Sequence, residues 1–217
     1  MMVEDASRIT TPPYFLEKFI DKLPAEGKVL EVGCGTGYLS EKLSKKGFEI
    51  VSVDKDKEKL DFGRRRNRFD RVIEKDFNQV ALRDNEFDGV IAVEVIEHFE
   101  NPEEFISKVK NCLKEEGVIA LKTPNRITHD IYQVLMRGKF KVLKGKRLDH
   151  HPSVMSPQEL AKKLEKNGLQ IEVIKAPCLP ESQKWRFGKF WRLLDLDYRK
   201  LPNALQPTNM TLAKKTD

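Results

Sequence analysis

The feature that constrains this chain most is the segment 29–37, Val-Leu-Glu-Val-Gly-Cys-Gly-Thr-Gly. A hydrophobic strand runs directly into Gly33, Gly35 and Gly37, and a helical pattern begins at once. Glycines at such a turn allow a tight bend and let a ligand approach the backbone closely. In dinucleotide-binding enzymes the third glycine follows the second by three residues, whereas here it follows by two. The segment also holds Glu31, which would repel a pyrophosphate and suits a cationic ligand.

Strand and helix patterns alternate along residues 28–123, after an N-terminal helix within residues 1–27. This alternation predicts an α/β domain whose parallel sheet is covered by helices on both faces. The predicted strands are 28–33, 48–53, 71–73, 87–93 and 117–122, and the predicted helices between them are 38–46, 56–66 and 102–113. Further along, the predicted helices are 127–136 and 158–167, and the predicted strands are 169–176 and 209–214.

The composition excludes several classes of protein. At 217 residues, 39% of them hydrophobic, the chain suits a single domain with a buried core. It contains no apolar run near the ~20 residues of a membrane span, and its acidic N-terminus lacks a secretory signal pattern. The cysteines Cys34, Cys112 and Cys178 are too far apart for a metal-binding spacing. Their pattern predicts a reducing compartment, the cytoplasm.

Charge is distributed unevenly along the chain. Residues 1–126 contain 22 Lys and Arg against 25 Asp and Glu, while residues 127–217 contain 18 against 9. The excess of basic residues in 127–217 is explained either by a solvated surface or by binding to an anionic partner such as a phosphate, an RNA or a lipid head group.

The pattern Glu31-x-Gly33-x-Gly35-x-Gly37 resembles the first motif of class I methyltransferases, which use S-adenosyl-L-methionine. Further matches follow in order over residues 28–123. Asp54 closes the second strand about 20 residues beyond the glycines, where an acidic side chain binds ribose hydroxyls. The remaining matches are Asp76-Phe77, Phe87-Asp88 and Val90 to Glu94.

This resemblance implies a Rossmann-like, doubly wound, seven-stranded sheet within a single domain, residues 1–217. Residues 28–123 form its cofactor-binding core, and the last strand, 209–214, lies antiparallel beside the fifth. It also implies a cofactor site in which the glycines and Cys34 line the methionine and ribose, with Glu31 beneath them. Asp54 would then bind ribose, Asp76 and Phe77 adenine, Lys55 the adenine edge, and Glu94 the methionine part.

The segment Glu94-Val-Ile-Glu97-His98 lies where the methyl acceptor is expected. Residues at i, i+3 and i+4 share one face of an α-helix, so all three polar side chains are expected to point the same way. Glu94 and His98 are the candidate catalytic residues. His98 is the candidate base, because an acceptor hydroxyl must lose a proton. A capping cluster at a helix start is the alternative.

Two families share this segment. One is the small-molecule methyltransferases, including the quinone-biosynthesis O-methyltransferases. Resemblance to them implies methyl transfer to an oxygen of a small acceptor without a metal. Metal-dependent enzymes that methylate the 2′-hydroxyl of small RNAs are the alternative. There Glu94, Glu97, His98 and His151 would be ligands of a metal such as Mg²⁺ or Mn²⁺. A non-catalytic subunit that binds the cofactor is a third hypothesis.

Two insertions, 124–155 and 177–206, follow strands at the carboxyl edge of the sheet, where α/β folds bind their ligands. The second insertion alternates aromatic and basic residues between Lys184 and Arg199. We expect the two insertions to form a C-terminal lid that excludes water and selects an acceptor that is partly apolar and partly anionic. Packing on the outer face of the sheet, or a dimer contact, is the alternative.

Overall fold

The computed structural model describes residues 11–130, 152–173, 200–206 and 208–216. Helices and strands alternate as predicted. The helices are α1 (Pro13–Ile20), α2 (Tyr38–Ser44), α3 (Lys57–Arg64), α4 (Pro102–Cys112) and α5 (Pro157–Lys166). The strands are β1 (Lys28–Val32), β2 (Glu49–Asp54), β3 (Arg71–Glu74), β4 (Phe87–Val93), β5 (Leu113–Pro124), β6 (Leu169–Val173) and β7 (Thr208–Lys215).

All seven strands form one sheet in the order β3-β2-β1-β4-β5-β7-β6. The first five strands pair in parallel, and β7 lies antiparallel between β5 and β6. The prediction that residues 209–214 lie antiparallel beside strand five is therefore confirmed. The strand order reverses between β1 and β4, and ligands of open α/β sheets bind at such a reversal.

Apolar residues of the central strands face both sides of the sheet, so helices cover both faces. Leu30 of β1 belongs to one core cluster, together with Phe105 of α4 and Leu160 of α5. Its neighbour Val29 points to the opposite face and belongs to a second cluster with Phe15 of α1. Burial on both faces explains why the strands read as continuous apolar runs.

Side-chain caps fix the start of three helices. The Asp56 carboxylate accepts from Lys59 N–H before α3, and Asn101 accepts from Glu103 N–H before α4. At α5 the Ser156 hydroxyl and the Glu159 carboxylate cap each other's backbone N–H groups. The helix predicted over 158–167 is confirmed, and it begins one residue earlier, at Pro157.

The largest difference from the predicted boundaries is at the start of β5, and most other ends shift by one or two residues. β5 begins at Leu113 rather than at residue 117, because Leu113 already pairs with Phe87 as α4 ends. Residues 126–130 are helical, as predicted for 127–136, and the rest of that helix lies outside the described residues. The predicted end of β6 at 174–176 lies outside them too. Within the described ranges, no helix has the length and apolar character needed to cross a bilayer.

Candidate functional site

The glycine turn after β1 adopts a backbone that other residues rarely take. Gly33, Gly35 and Gly37 have φ angles of 72°, 52° and 74°, all in the left-handed region. A Cβ at Gly33 would lie 2.3 Å from Cγ2 of Val95. The first glycine therefore lets the turn pack closely against the chain that leaves β4.

The three glycines face different surroundings. Gly33 and Gly35 line a cleft at the carboxyl edge of the sheet, whereas Gly37 is buried outside it at the start of α2. A Cβ at Gly37 would lie 2.5 Å from the Phe69 ring. This glycine provides space for the half-buried Phe69 ring, and its contact with a cofactor stays a prediction.

The Asp54 carboxylate at the end of β2 holds the glycine turn in place. One oxygen accepts from Gly35 N–H at 2.7 Å, and the other accepts from Asp56 N–H at 2.9 Å. These charge-assisted bonds fix both the carboxylate and the turn before any ligand binds. Asp54 lines the cleft, and its expected contact with the ribose of the cofactor would be made there.

Asp76 and Phe77 form the next part of the cleft wall. The Asp76 carboxylate accepts from Asn78 N–H at 3.0 Å and from the Lys55 ammonium at 3.0 Å. The backbone bond from Asn78, reinforced by Lys55, lowers the pKa of Asp76, so this group is an anion at neutral pH. The Phe77 ring is nearly buried and packs edge-on against Phe99 at a centroid distance of 6.2 Å.

Glu31 lies behind the turn and does not line the cleft. It is 3% exposed, and the Ser40 hydroxyl donates to its carboxylate. Burial, with a smaller contribution from the charge of Asp54, raises the pKa of Glu31 to about 8. The position beneath the glycines agrees with the expectation, and the group there is largely a neutral acid at pH 7.

Cys34 lines the cleft between the first two glycines. Burial raises the pKa of its thiol, and the neighbouring carboxylates of Glu31 and Asp54 raise it further. The thiol is therefore uncharged and fills space rather than acting as a nucleophile. Cys34 and Cys112 are both free.

The segment after β4 is not an α-helix. Glu94 has a φ angle of 56°, a left-handed conformation that is costly for a non-glycine residue. The segment Ile96–His98 is a single 3₁₀ turn. Glu94 and His98 line the cleft, but Glu97 does not. The expectation that all three side chains share one helical face is therefore wrong, because the strand ends in a bend and the turn is too short for α-helical spacing to apply.

Glu97 points into the protein. It is 0% exposed, and one carboxylate oxygen accepts from the Thr123 hydroxyl at 2.9 Å. Burial, together with the nearby charge of Glu94, raises the pKa of Glu97 to about 8. Across the described residues no three His, Cys, Asp or Glu side chains are grouped as metal ligands, and His151 lies outside those residues.

Sequence reasoning missed Lys122 on β5. Its side chain is 2% exposed, and its ammonium donates to the Glu94 carboxylate. The signal was a lysine inside the apolar run Val118-Ile-Ala-Leu-Lys-Thr. Lysine is almost never fully buried without a partner, so a charge in such a strand indicates an acid at the same sheet edge.

The cleft has a volume of about 940 Å³, which is large enough for a nucleoside-sized ligand together with a second small molecule. Its described walls hold more acids than bases, which suits a cofactor with a positive charge. The acids are Asp54, Asp56, Asp76, Glu94, Glu100 and Glu104, and the lysines are Lys55, Lys59 and Lys75.

The described ends of the two insertions contact each other, and one residue of the first insertion lines the cleft. The buried Asn125 amide donates to the carbonyl oxygens of Ala204 at 3.1 Å and Gln206 at 2.8 Å. Pro152 lines the cleft, and the next residue, Ser153, donates its N–H to the Glu97 carbonyl at 3.1 Å. The aromatic and basic residues on which the lid prediction depends, 184–199, lie outside the described residues.

Comparison with known proteins decides the family. The model of the methyltransferase domain family matches residues 7–173, more than half of the chain. The chain belongs to this family. Methyl transfer from S-adenosylmethionine is the chemistry of the methyltransferase domain, so the predicted class and cofactor are confirmed.

Among named relatives, this methyltransferase is 30% identical over 156 residues to the mitochondrial ubiquinone biosynthesis O-methyltransferase of Rattus norvegicus, covering 68% of the chain and 45% of that protein. It is 35% identical over 126 residues to the ubiquinone biosynthesis O-methyltransferase of Actinobacillus pleuropneumoniae serotype 7, covering 54% and 53%. The chain thus spans about half the length of these relatives.

Solved structures share the fold of this methyltransferase. An S-adenosylmethionine-dependent methyltransferase from Archaeoglobus fulgidus superposes with a TM-score of 0.65 at 21% identity, covering 92% of this chain and 91% of the other. Another from Mesorhizobium loti gives 0.65 at 16% identity, covering 92% and 96%. At such identities the likeness concerns the fold, which confirms the predicted seven-stranded Rossmann-like architecture.

Proposed function

We propose that this methyltransferase transfers the methyl group of S-adenosylmethionine to an oxygen of a small molecule. The observation that carries the proposal is the single cleft wall that joins the Asp54-held glycine turn to Glu94 and His98. The relatives support oxygen as the acceptor atom, since they are named O-methyltransferases of ubiquinone biosynthesis. Phenolic hydroxyls are the first acceptors to test.

The cofactor placement follows the cleft from one end to the other. Gly33, Cys34 and Gly35 would face the methionine and ribose, where the absence of a glycine Cβ gives a ligand direct access to the backbone. Asp54 would accept from the ribose hydroxyls. The adenine end would consist of Asp76 and Phe77, with the Lys55 stem at the edge.

Two expected cofactor residues take supporting roles in this proposal. Glu31, bonded to Ser40, shapes the turn from below, and Gly37 allows α2 to begin against Phe69. Glu94 stands at the other end, between the glycine turn and His98, where the methionine part and the methyl group would meet the acceptor.

When bound, S-adenosylmethionine supplies a methyl group on a positively charged sulfur. The residues of the chain align the acceptor and exclude water, which is the main source of rate in such a displacement. His98 is exposed to the cleft and takes the acceptor's hydroxyl proton on a ring nitrogen. A phenol suits this base better than an aliphatic alcohol, because its proton is far more acidic.

The charge preference of the acceptor depends on the charged residues around the cleft. The described walls favour cations, since six carboxylates there outnumber three lysines. A partly anionic acceptor therefore requires the basic residues of the 177–206 insertion. A reducing compartment, the cytoplasm, belongs to the proposal because Cys34 and Cys112 are both buried free thiols.

The test combines an acceptor screen with one substitution. Labelled S-adenosylmethionine is incubated with the protein and phenolic small molecules, and in parallel with an RNA fraction. On an accepted phenol, His98→Ala should lower kcat by about 10²–10⁴-fold and leave the cofactor Kd unchanged. His129→Ala, a histidine outside the cleft lining, is the control. Label in RNA alone would contradict the proposal, and cofactor binding without any turnover would indicate a non-catalytic subunit.

A further inference from the structure

Lys122 is a buried cation directly behind the cleft wall. It lies on β5 with 2% of its side chain exposed, between Leu121 and Thr123, which are both fully buried. Placing an ammonium in such surroundings is costly unless an acid neutralises it. Its place in an apolar strand therefore requires a function that an apolar residue cannot perform.

Lys122 contacts Glu94 twice. Its ammonium donates to the Glu94 carboxylate, and its carbonyl oxygen accepts from Glu94 N–H at 2.8 Å. Glu94 has the left-handed φ of 56°, and strained residues persist where surrounding contacts determine their conformation. The two bonds hold both the backbone and the side chain of Glu94 in this conformation.

The pair is unequal in exposure. Lys122 is 2% exposed and does not line the cleft, whereas Glu94 is 32% exposed and does. The next residue after Glu94 is Val95, and its side chain packs against Gly33 of the glycine turn. The conformation of Glu94 is therefore linked to the position of that turn. Lys122 can therefore act on a ligand only through the carboxylate that it fixes beside that turn.

We propose that Lys122 is a positioning residue that holds the Glu94 carboxylate at the methyl end of the cleft, where it favours the sulfonium cofactor over its neutral thioether product. The inference rests on the proposed function for the placement of the methyl group. A carboxylate beside the sulfur attracts S-adenosylmethionine and gains nothing from S-adenosylhomocysteine, whose sulfur is uncharged. The arrangement would help the product leave after each turnover.

Calorimetry of the two ligands tests this proposal without an acceptor. Lys122→Met should weaken S-adenosylmethionine binding by about two- to fivefold, the range for a partly exposed charge pair, and leave S-adenosylhomocysteine binding unchanged. Lys122→Arg should retain the preference, because a guanidinium also donates to Glu94. Lys215→Met is the matched control. Lys215 is also buried and ion-paired, but it lies at the opposite edge of the sheet.

A double-mutant cycle keeps the test decisive if Lys122→Met fails to fold. Glu94→Gln should show the same selective loss, because the Gln amide carries no charge, and adding Lys122→Met to it should cause no further change. The double variant leaves neither the ammonium nor the carboxylate without its partner. Equal weakening of both ligands, no weakening, or a further selective loss in the double variant would each overturn the proposal. Wild-type protein that binds neither ligand would instead refute the proposed function.

Discussion

The buried carboxyl of Glu31 makes the stability of the protein depend on pH in a predictable direction. Its folded pKa is about 8, raised from 4.5 by burial. Between these values the folded protein keeps a proton that the unfolded chain has released. The stabilisation is therefore fully present below about pH 4.5 and is lost as pH rises through 8.

The magnitude follows from the width of that window. Each pH unit between the two pKa values is worth about 1.4 kcal/mol, so raising the pH from 5 to 8 costs on the order of 4 kcal/mol at this one group. This is a large part of the ~5–15 kcal/mol of a typical domain. Glu31→Gln removes the titration and keeps the shape of the side chain.

The assay is urea unfolding of the wild type and Glu31→Gln at several pH values from 5 to 8.5, without cofactor. We expect the free energy of unfolding to fall more steeply with rising pH in the wild type than in Glu31→Gln. The difference between the two proteins should change by about 4 kcal/mol over this range. Glu97 has a similarly raised pKa but is present in both proteins, so the difference isolates Glu31. Glu165→Gln, on the exposed side of α5, controls for the loss of one acid. The same pH dependence of the free energy of unfolding in the wild type and Glu31→Gln would refute the reasoning.

The other predictions concern ligands. Asp54→Ala removes the two bonds that hold the glycine turn, and calorimetry should show S-adenosylmethionine binding weakened by about ten- to a hundredfold; an unchanged Kd would refute this role. Dialysis against EDTA should leave activity intact, because Glu97 is bonded to Thr123 inside the protein rather than placed at the cleft. Activity that disappears and returns with Mn²⁺ or Mg²⁺ would instead establish the four-residue metal site.

Local sequence patterns were sufficient for the sheet and the glycine turn. The turn needs left-handed glycines directly after a buried strand, and both signals lie within segment 29–37. The position of Asp54 could be predicted equally well, because it depends only on where one strand ends. These features arise from short stretches of chain, where periodicity and glycine content carry the information.

Other parts of the site depend on residues far apart in sequence. The role of Gly37 depends on Phe69, and the conformation of Glu94 depends on Lys122, 28 residues further along the chain. The spacing of Glu94, Glu97 and His98 was misleading because it assumes an α-helix. The structure instead has a bend and one 3₁₀ turn. Such contacts follow from sheet pairing and cannot be inferred from a local pattern.

The Asn125 amide has a consequence for redesign of the acceptor specificity. Asn125 directly follows β5, at the start of the first insertion. Its amide donates to the carbonyl oxygens of Ala204 and Gln206, at the end of the second insertion. A chimera that exchanges one insertion with another methyltransferase would separate this buried amide from its acceptors and leave polar groups unsatisfied. Exchanging both insertions as one block, with the junctions placed outside Asn125 and Gln206, keeps the connection intact. The two insertions therefore have to be exchanged together, although core residues 156–176 separate them in the chain.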